Sequence, residues 1–161
     1  MNTAFRHVTL PQGVPGALFL SSMPGRDGPI EEAIKEIQDS AIDRIICLAP
    51  DEEIRGKSPG YAAVLEQDGL PCPVRRFPIP DFGVPEDRHA FLSLVRQVRD
   101  SLREGERLLV HCSAGFGRSG TVATCALVAL GVEPDGAREA VRRAGSRPEH
   151  DLVHWLAQGG Q

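Results

Sequence analysis

Apolar and polar positions alternate along this chain between short continuous runs and helical stripes. Residues 16–21, centred on Ala17-Leu18-Phe19-Leu20, predict a first strand. Pro29 suits the first turn of a helix continuing through Ile30, Ile34 and Ile37. Residues 43–48 predict a second strand. Residues 51–68 predict one or two short helices, interrupted by Pro59-Gly60 and ended by Gln67-Asp68-Gly69. A short strand follows at 74–77. Pro85 then opens a strongly amphipathic helix, with Phe91, Leu94, Val95, Val98 and Leu102 at helical spacing and Gly105 as its stop. Leu108-Leu109-Val110 reads as a buried strand and residues 121–130 as a buried helix, with a break at Gly131. Pro134 starts a helix through Ala137, Ala140 and Val141, and Pro148 or Glu149 a last one through Leu152, Val153 and Leu156. Residues 1–12 and 159–161 read as loose ends. Alternating strands and helices predict an α/β fold, a mostly parallel sheet with helices on both faces. With no repeat, linker or low-complexity segment, residues 1–161 read as a single domain.

Chemistry concentrates between the last strand and the helix after it. The run from Val110 to Thr121 reads Val-His-Cys-Ser-Ala-Gly-Phe-Gly-Arg-Ser-Gly-Thr. Strand, Gly-rich loop and helix N-terminus in that order make an anion site, because loop N–H groups and the helix dipole both favour negative charge. The loop can hold a phosphate on Ser113, Ala114, Gly115, Phe116, Gly117 and Arg118, and can hold Cys112 as a thiolate. A free thiol of pKa ≈ 8.5 is only about 3% ionised at neutral pH, and sites of this type lower that value by several units. The dipole alone supplies roughly 0.3–2 kcal/mol. Hydrogen bonds to the charged sulfur, each about 1.5–3 kcal/mol, must supply the rest, and the loop amides and the Ser119 hydroxyl are the expected donors. Gly115 and Gly117 allow the backbone to curl without a Cβ clash. Arg118 offers a planar fork for two phosphate oxygens. The bland reading, a buried core cysteine beside a chance Gly-x-Gly, does not account for Cys, two glycines, Arg and Ser at fixed offsets.

His111-Cys112, Gly115, Arg118 and Ser119 match the His-Cys-x5-Arg-Ser/Thr loop of the cysteine-dependent protein tyrosine phosphatase superfamily, which this chain resembles. The resemblance runs from about Gly16 to Leu156 and is to the compact dual-specificity branch; residues 17–25 look like the opening of small phosphatases related to the cyclin-dependent kinase inhibitor 3 group. It implies that Cys112 attacks phosphorus to form a cysteinyl-phosphate, that Arg118 binds the phosphoryl group and its transition state, and that Ser119 helps Cys112 depart. His111 is expected to tune the nucleophile through local hydrogen bonds. The chain lacks the tyrosine-ring recognition loop of the longer tyrosine-specific enzymes, and Glu149-His150 follow Arg147-Pro148 where dual-specificity enzymes carry small residues.

The leaving oxygen needs a proton, since even a phenol has pKa ≈ 10, so a general acid should sit on a loop facing Cys112. Asp81, in Phe77-Pro78-Ile79-Pro80-Asp81-Phe82-Gly83-Val84-Pro85, is the best candidate. Pro80-Asp81 resembles the Trp-Pro-Asp acid loop of the family, with Ile79 at the Trp position. The rival readings are that Asp81 merely caps a turn, or that Glu86 or Asp87 is the acid, although acids are common in a first helical turn anyway.

The four cysteines, Cys47, Cys72, Cys112 and Cys125, form no Cys-x2-Cys metal pair. Cys125 reads as core, and Cys72 carries no assigned role. Some phosphatases of the superfamily carry a cysteine at a strand end like that of Cys47, which forms a protective disulfide with the nucleophile; the resemblance makes Cys47 a possible redox partner of Cys112. The remaining histidines show no metal-like grouping, so no metal and no cofactor is expected.

Composition narrows the partners. A net charge of −4 argues against nucleic acid as a broad partner. No apolar run is long enough to span a bilayer, no signal peptide or lipidation motif is read, and cytoplasmic residence is the default expectation. The expected partner is a phosphorylated protein or peptide carrying phosphotyrosine and, with a shallow pocket, phosphoserine or phosphothreonine. Phosphoinositides, inositol phosphates and RNA 5′-triphosphates are alternatives. Phosphoinositide phosphatases of the superfamily often place lysines inside the loop, where this chain has Ser113, Ala114 and Phe116, which lowers that option, and the acidic charge counts mildly against the RNA. Arg26, Arg75 and Arg76 form either a basic rim or ordinary solvated surface. Sulfurtransfer or phosphate binding without catalysis are further readings; the first generally lacks this Cys-to-Arg spacing, and the second would have lost the nucleophile or the arginine.

Overall fold

A computed structural model describes residues 5–80 and 85–148. Along the chain run β1 (Arg6–Val8), β2 (Ala17–Ser21), α1 (Ile30–Asp39), β3 (Arg44–Cys47), α2 (Asp51–Lys57), α3 (Pro59–Glu66), β4 (Val74–Arg76), α4 (Arg88–Arg103), β5 (Arg107–His111), α5 (Gly117–Ala129) and α6 (Pro134–Arg143). The strands form one sheet in the order β1-β2-β5-β3-β4. All neighbours are parallel except β1, which runs antiparallel to β2 with Arg6 opposite Leu20. The expected α/β sheet is therefore present, with one element added: residues 6–8, read from the sequence as a loose end, are an edge strand.

The period of two along β5 divides the core. Leu108, Val110 and Cys112 lie in one cluster with Leu18, Leu20, Ile46, Leu48, and the α4 and α5 residues Phe91, Leu94, Val95, Val122 and Ala126. Leu109 packs on the opposite face with Ile37, Ile42 and Ile45. That face continues into a smaller cluster of Met23, Cys47, Ala49, Ile54 and Tyr61. A central parallel strand buried on both sides explains why this segment reads as a continuous apolar run.

Side-chain caps set several helix ends. Helix α4 begins at Arg88, three residues after Pro85, because the Asp87 carboxylate accepts from the amides of His89 and Ala90, each at 3.0 Å. Asp87 is thus a helix cap. Ser58 caps α3, accepting from Tyr61 N at 3.3 Å, with Pro59 in the first turn. Pro59 therefore opens the second short helix, and the interruption falls one residue earlier than the sequence suggests. Residues 149–156 of the expected last helix lie outside the described residues.

Candidate active site

Parallel strands β2, β5 and β3 bring their C-terminal ends to one edge, where open α/β sheets place their ligand sites. Cys112 follows β5 directly and is 2% exposed. The loop after it is held by its carbonyls. Met23 N donates to Ser113 O at 2.8 Å, and Gly120 N and Arg147 N donate to Phe116 O at 3.0 and 3.3 Å. Gly115 O accepts from Ser146 Oγ at 2.6 Å and also from Arg6 Nη2. His111 Nδ1 lies 3.0 Å from Cys112 O. Engaging the carbonyls from outside leaves the loop N–H groups available to an anion, as an anion-binding nest requires.

Gly115 is the glycine this turn requires. Its φ is +83°, and a Cβ there would collide with the Ser21 carbonyl. The sequence also assigned this freedom to Gly117, but Gly117 is the first residue of α5 and is not among the residues with positive φ.

Arg118, in the first turn of α5, is buried with 2% of its side chain exposed. Its guanidinium is gripped by a residue the sequence reading missed. Nη1 donates to Glu53 Oε2 at 3.0 Å and to Ile79 O at 2.9 Å, and Nη2 donates to Glu53 Oε1 at 2.6 Å. The paired geometry fixes the plane of the fork as well as its position. One turn further along α2, Lys57 lies 3.9 Å from Glu53 and donates to Ser113 Oγ at 2.8 Å. The spacing of Glu53 and Lys57 on one helix face, just beyond a strand C-terminus, is the signal that could have found them.

Burial alone would push the Glu53 carboxyl up, but the hydrogen bonds and charge of Arg118, with Lys57, hold it below the ordinary carboxylate range. Its charged form therefore adds stability that is present above the unfolded value of about 4.3 and is lost as pH falls through the lower folded value. Glu53→Gln is expected to lower kcat up to about a hundredfold by loosening the Arg118 fork. Its melting temperature should fall below wild type at neutral pH, and the gap should close below about pH 4. Thermal melts at several pH values with steady-state kinetics check both.

His111 is fully buried. The Cys112 carbonyl can only accept, which assigns a proton to Nδ1, and Nε2 lies 2.8 Å from the Tyr61 hydroxyl. Both ring nitrogens thus have partners. Burial drives the Tyr61 phenol well above its usual value, keeping it a donor.

Ser119 departs from expectation. Its hydroxyl is buried without a hydrogen-bond partner, so it does not donate to Cys112 Sγ in this structure. A buried orphan hydroxyl costs about 1–3 kcal/mol. Placed in the first turn behind an anion loop, it is open to the thiolate or to a bound oxyanion.

Cys47 ends β3. In the parallel register it pairs with His111, so both side chains project from the same face of the sheet. Cys47 packs with Met23, Ile54 and Tyr61, whereas Cys112 lies in the opposite cluster with Ile46 and Leu48. Both thiols are free. Cys125 is core, as expected, with its thiol pushed up to about 12 by burial.

Asp81 lies outside the described residues. The segment leading to it is anchored: Phe77 N donates to Cys47 O at 2.9 Å, and Ile79 N donates to Leu48 O at 2.8 Å. Of the arginines considered for a basic rim, Arg76 is ion-paired with Asp51 and Arg26 with Asp27. No described helix is long and apolar enough to cross a membrane, and no cluster of three or more metal-ligating side chains occurs among the described residues.

Known proteins similar to this chain are phosphatases. The Drosophila melanogaster tyrosine-protein phosphatase non-receptor type 61F is 50% identical over 56 residues, 32% of this chain and 10% of that protein. A putative tyrosine phosphatase 067L of invertebrate iridescent virus 3 is 40% identical over 62 residues, 36% of this chain and 26% of that protein. The matched segments are thus a small part of these relatives' lengths. Among solved structures, kinase associated phosphatase with its catalytic-site cysteine substituted by serine superposes with TM-score 0.79 at 22% identity, covering 98% of this chain and 94% of that one. The active form of Tk-PTP superposes with TM-score 0.73 at 25% identity, covering 99% of both chains. A family model described as "Swiss Army Knife protein, DSP-PTPase phosphatase domain" matches residues 13–158. The chain belongs to this phosphatase-domain family, within the compact dual-specificity branch of the tyrosine phosphatase superfamily.

Proposed function

We propose that this chain hydrolyses phosphotyrosine in proteins, and phosphoserine or phosphothreonine as secondary substrates, through a cysteinyl-phosphate on Cys112. The observation that carries this reading is the closed loop after β5, with its carbonyls bound outward around Cys112 and Arg118 fixed by Glu53. Cys112 Sγ attacks phosphorus, and the P–O bond to the leaving group breaks as the P–S bond forms. The leaving oxygen takes a proton from Asp81. Water then attacks phosphorus, giving a proton back to the Asp81 carboxylate as the P–S bond breaks, which releases inorganic phosphate and the Cys112 thiolate, with the Ser119 hydroxyl supporting the departing sulfur. Arg118 and the loop amides bind the equatorial oxygens, where charge is greatest in transit. No metal or other cofactor enters these steps.

Asp81 is supported by connectivity. Ile79, two residues earlier, gives its carbonyl to Arg118, and two residues of extended chain span no more than about 7 Å. Asp81→Asn is expected to lower kcat about a hundredfold on phosphotyrosine peptides. The alkaline limb of the pH profile should flatten, and the loss should be deeper for phosphoserine, whose alkoxide leaves less readily. Unchanged phosphopeptide turnover would show that another residue is the acid.

One observation favours a second reading. Lys57 brings an ammonium to Ser113 Oγ from outside the loop, and added cationic charge suits a more highly phosphorylated substrate such as a phosphoinositide. A solved structure of PTPMT1 in complex with PI(5)P shares the fold, with TM-score 0.67 at 19% identity. Turnover on a panel of phosphopeptides, inositol phosphates and phosphoinositides separates the two. The protein reading expects phosphotyrosine peptides to lead; phosphoinositide turnover that leads and drops in Lys57→Met would replace it.

A further inference from the structure

The edge strand β1 carries a side chain that the proposed chemistry does not use. Arg6 reaches from that strand across to the underside of the anion loop. Nη2 donates to Gly115 O, and Nη1 donates to Ala144 O at 2.9 Å and to Ser146 Oγ at 2.8 Å. Ser146 passes its own proton on to Gly115 O at 2.6 Å, so the same carbonyl is held twice, once directly and once through the hydroxyl. The guanidinium carbon lies 5.2 Å from the centroid of the Phe116 ring, which is 51% exposed on the loop. Gly145, at φ +84°, leaves room for this arrangement: a Cβ there would stand 2.9 Å from Arg6 Nη1. One residue of an edge strand thus ties together the loop after β5 and the turn after α6.

We propose that Arg6 is a positioning residue for phosphate binding, holding the Gly115 carbonyl outward so that the neighbouring loop amides stay turned toward the phosphoryl oxygens. The inference rests on the reading of the Cys112 loop as the phosphate site. Gly115 has a left-handed backbone, and rotating the peptide after it would carry a carbonyl oxygen toward the anion and an N–H away from it. Two donors on that oxygen oppose the rotation. Charge adds a second contribution. Burial draws the Arg6 guanidinium below its usual value, and the charge of Cys112 draws it back up.

A purely structural role would make Arg6 a staple of β1 against α6, and its loss would lower melting temperature without changing the loop. The test measures kcat and KM for p-nitrophenyl phosphate, the inhibition constant of orthovanadate, a tetrahedral oxyanion, and melting temperature. It uses wild type, Arg6→Gln, Arg6→Lys and Ser146→Ala. Arg6→Gln is expected to weaken vanadate about tenfold and lower kcat about thirtyfold, with a smaller change in KM. Arg6→Lys should recover little, because an ammonium lacks the fork that spans Gly115 O, Ala144 O and Ser146 Oγ. Ser146→Ala, which removes one of the two bonds to Gly115 O, should weaken vanadate about threefold. Vanadate inhibition within twofold of wild type in both Arg6→Lys and Ser146→Ala would overturn the proposal, whether or not Arg6→Gln folds. A wild type that turns over substrate but is indifferent to vanadate would instead overturn the underlying reading of the loop.

Discussion

Cys112→Ser is expected to abolish phosphatase turnover while leaving the protein folded and able to bind a phosphotyrosine peptide. The alcohol has nearly the volume of the thiol, so the cluster containing Val110 and Ile46 keeps its packing. Its pKa lies far above that of any thiol, so a loop proposed to hold a thiolate cannot hold an alkoxide at neutral pH. The loss should be at least about four orders of magnitude in kcat, or ~5.5 kcal/mol of transition-state stabilisation. Phosphopeptide affinity should remain, because the outward-pinned carbonyls at Ser113, Gly115 and Phe116 do not depend on the sulfur. Stopped assays with substrate in excess, and calorimetric titration of the same variant with phosphopeptide, measure the two halves separately. Activity within tenfold of wild type would remove Cys112 from the mechanism.

Arg118→Lys is expected to produce the next largest loss, about a thousandfold in kcat. The charge is retained, so a purely Coulombic role for Arg118 would show almost no effect. The structure points to geometry. Glu53 and the Ile79 carbonyl define the plane in which the guanidinium lies, and an ammonium has no plane to define. The substitution also leaves the Glu53 carboxylate, 13% exposed, without its paired donors. Some loss of melting temperature should accompany the kinetic loss, larger at neutral pH than in acid. Arg118→Lys combined with Glu53→Gln should lose far less activity beyond Arg118→Lys alone than Glu53→Gln loses from wild type, since the two residues act as one unit. Additive losses in this double-mutant cycle would show that Glu53 acts independently of the arginine.

The reach of the sequence follows from which contacts are local. Strands β2, β3 and β5 and helices α1, α4, α5 and α6 were legible because their apolar periodicity is continuous over four to sixteen residues, or is bounded by Pro and Gly. The anion loop was legible because Cys112 and Arg118 are close in the chain and their spacing is itself the signal. Residues that arrive from elsewhere were not. Glu53 meets Arg118 across 65 positions, Lys57 meets Ser113 across 56, and Tyr61 meets His111 across 50. In the sequence Asp51-Glu52-Glu53 is only an acidic first turn, which many helices have for reasons of dipole alone.

Strand β1 was hidden for a different reason. Arg6-His7-Val8 is short and mostly polar, as an edge strand can be, and its pairing with β2 supplies the order that its composition does not. Arg6 consequently carried no signal at all. Cys47 was legible as the end of an apolar strand, and the structure places it there, at the end of β3. Counting by twos from Ile46 puts Leu48, not Cys47, on the Cys112 face, and the register with His111 agrees.

The most direct measurement is to quench the enzyme during turnover of a phosphopeptide and map the bound phosphate by mass spectrometry under conditions that preserve the P–S bond. The account expects phosphate on the sulfur of Cys112, accumulating when water attack is slowed by Ser119→Ala. Turnover that proceeds with no phosphate on Cys112 at any time point, or with phosphate on another side chain, would contradict it.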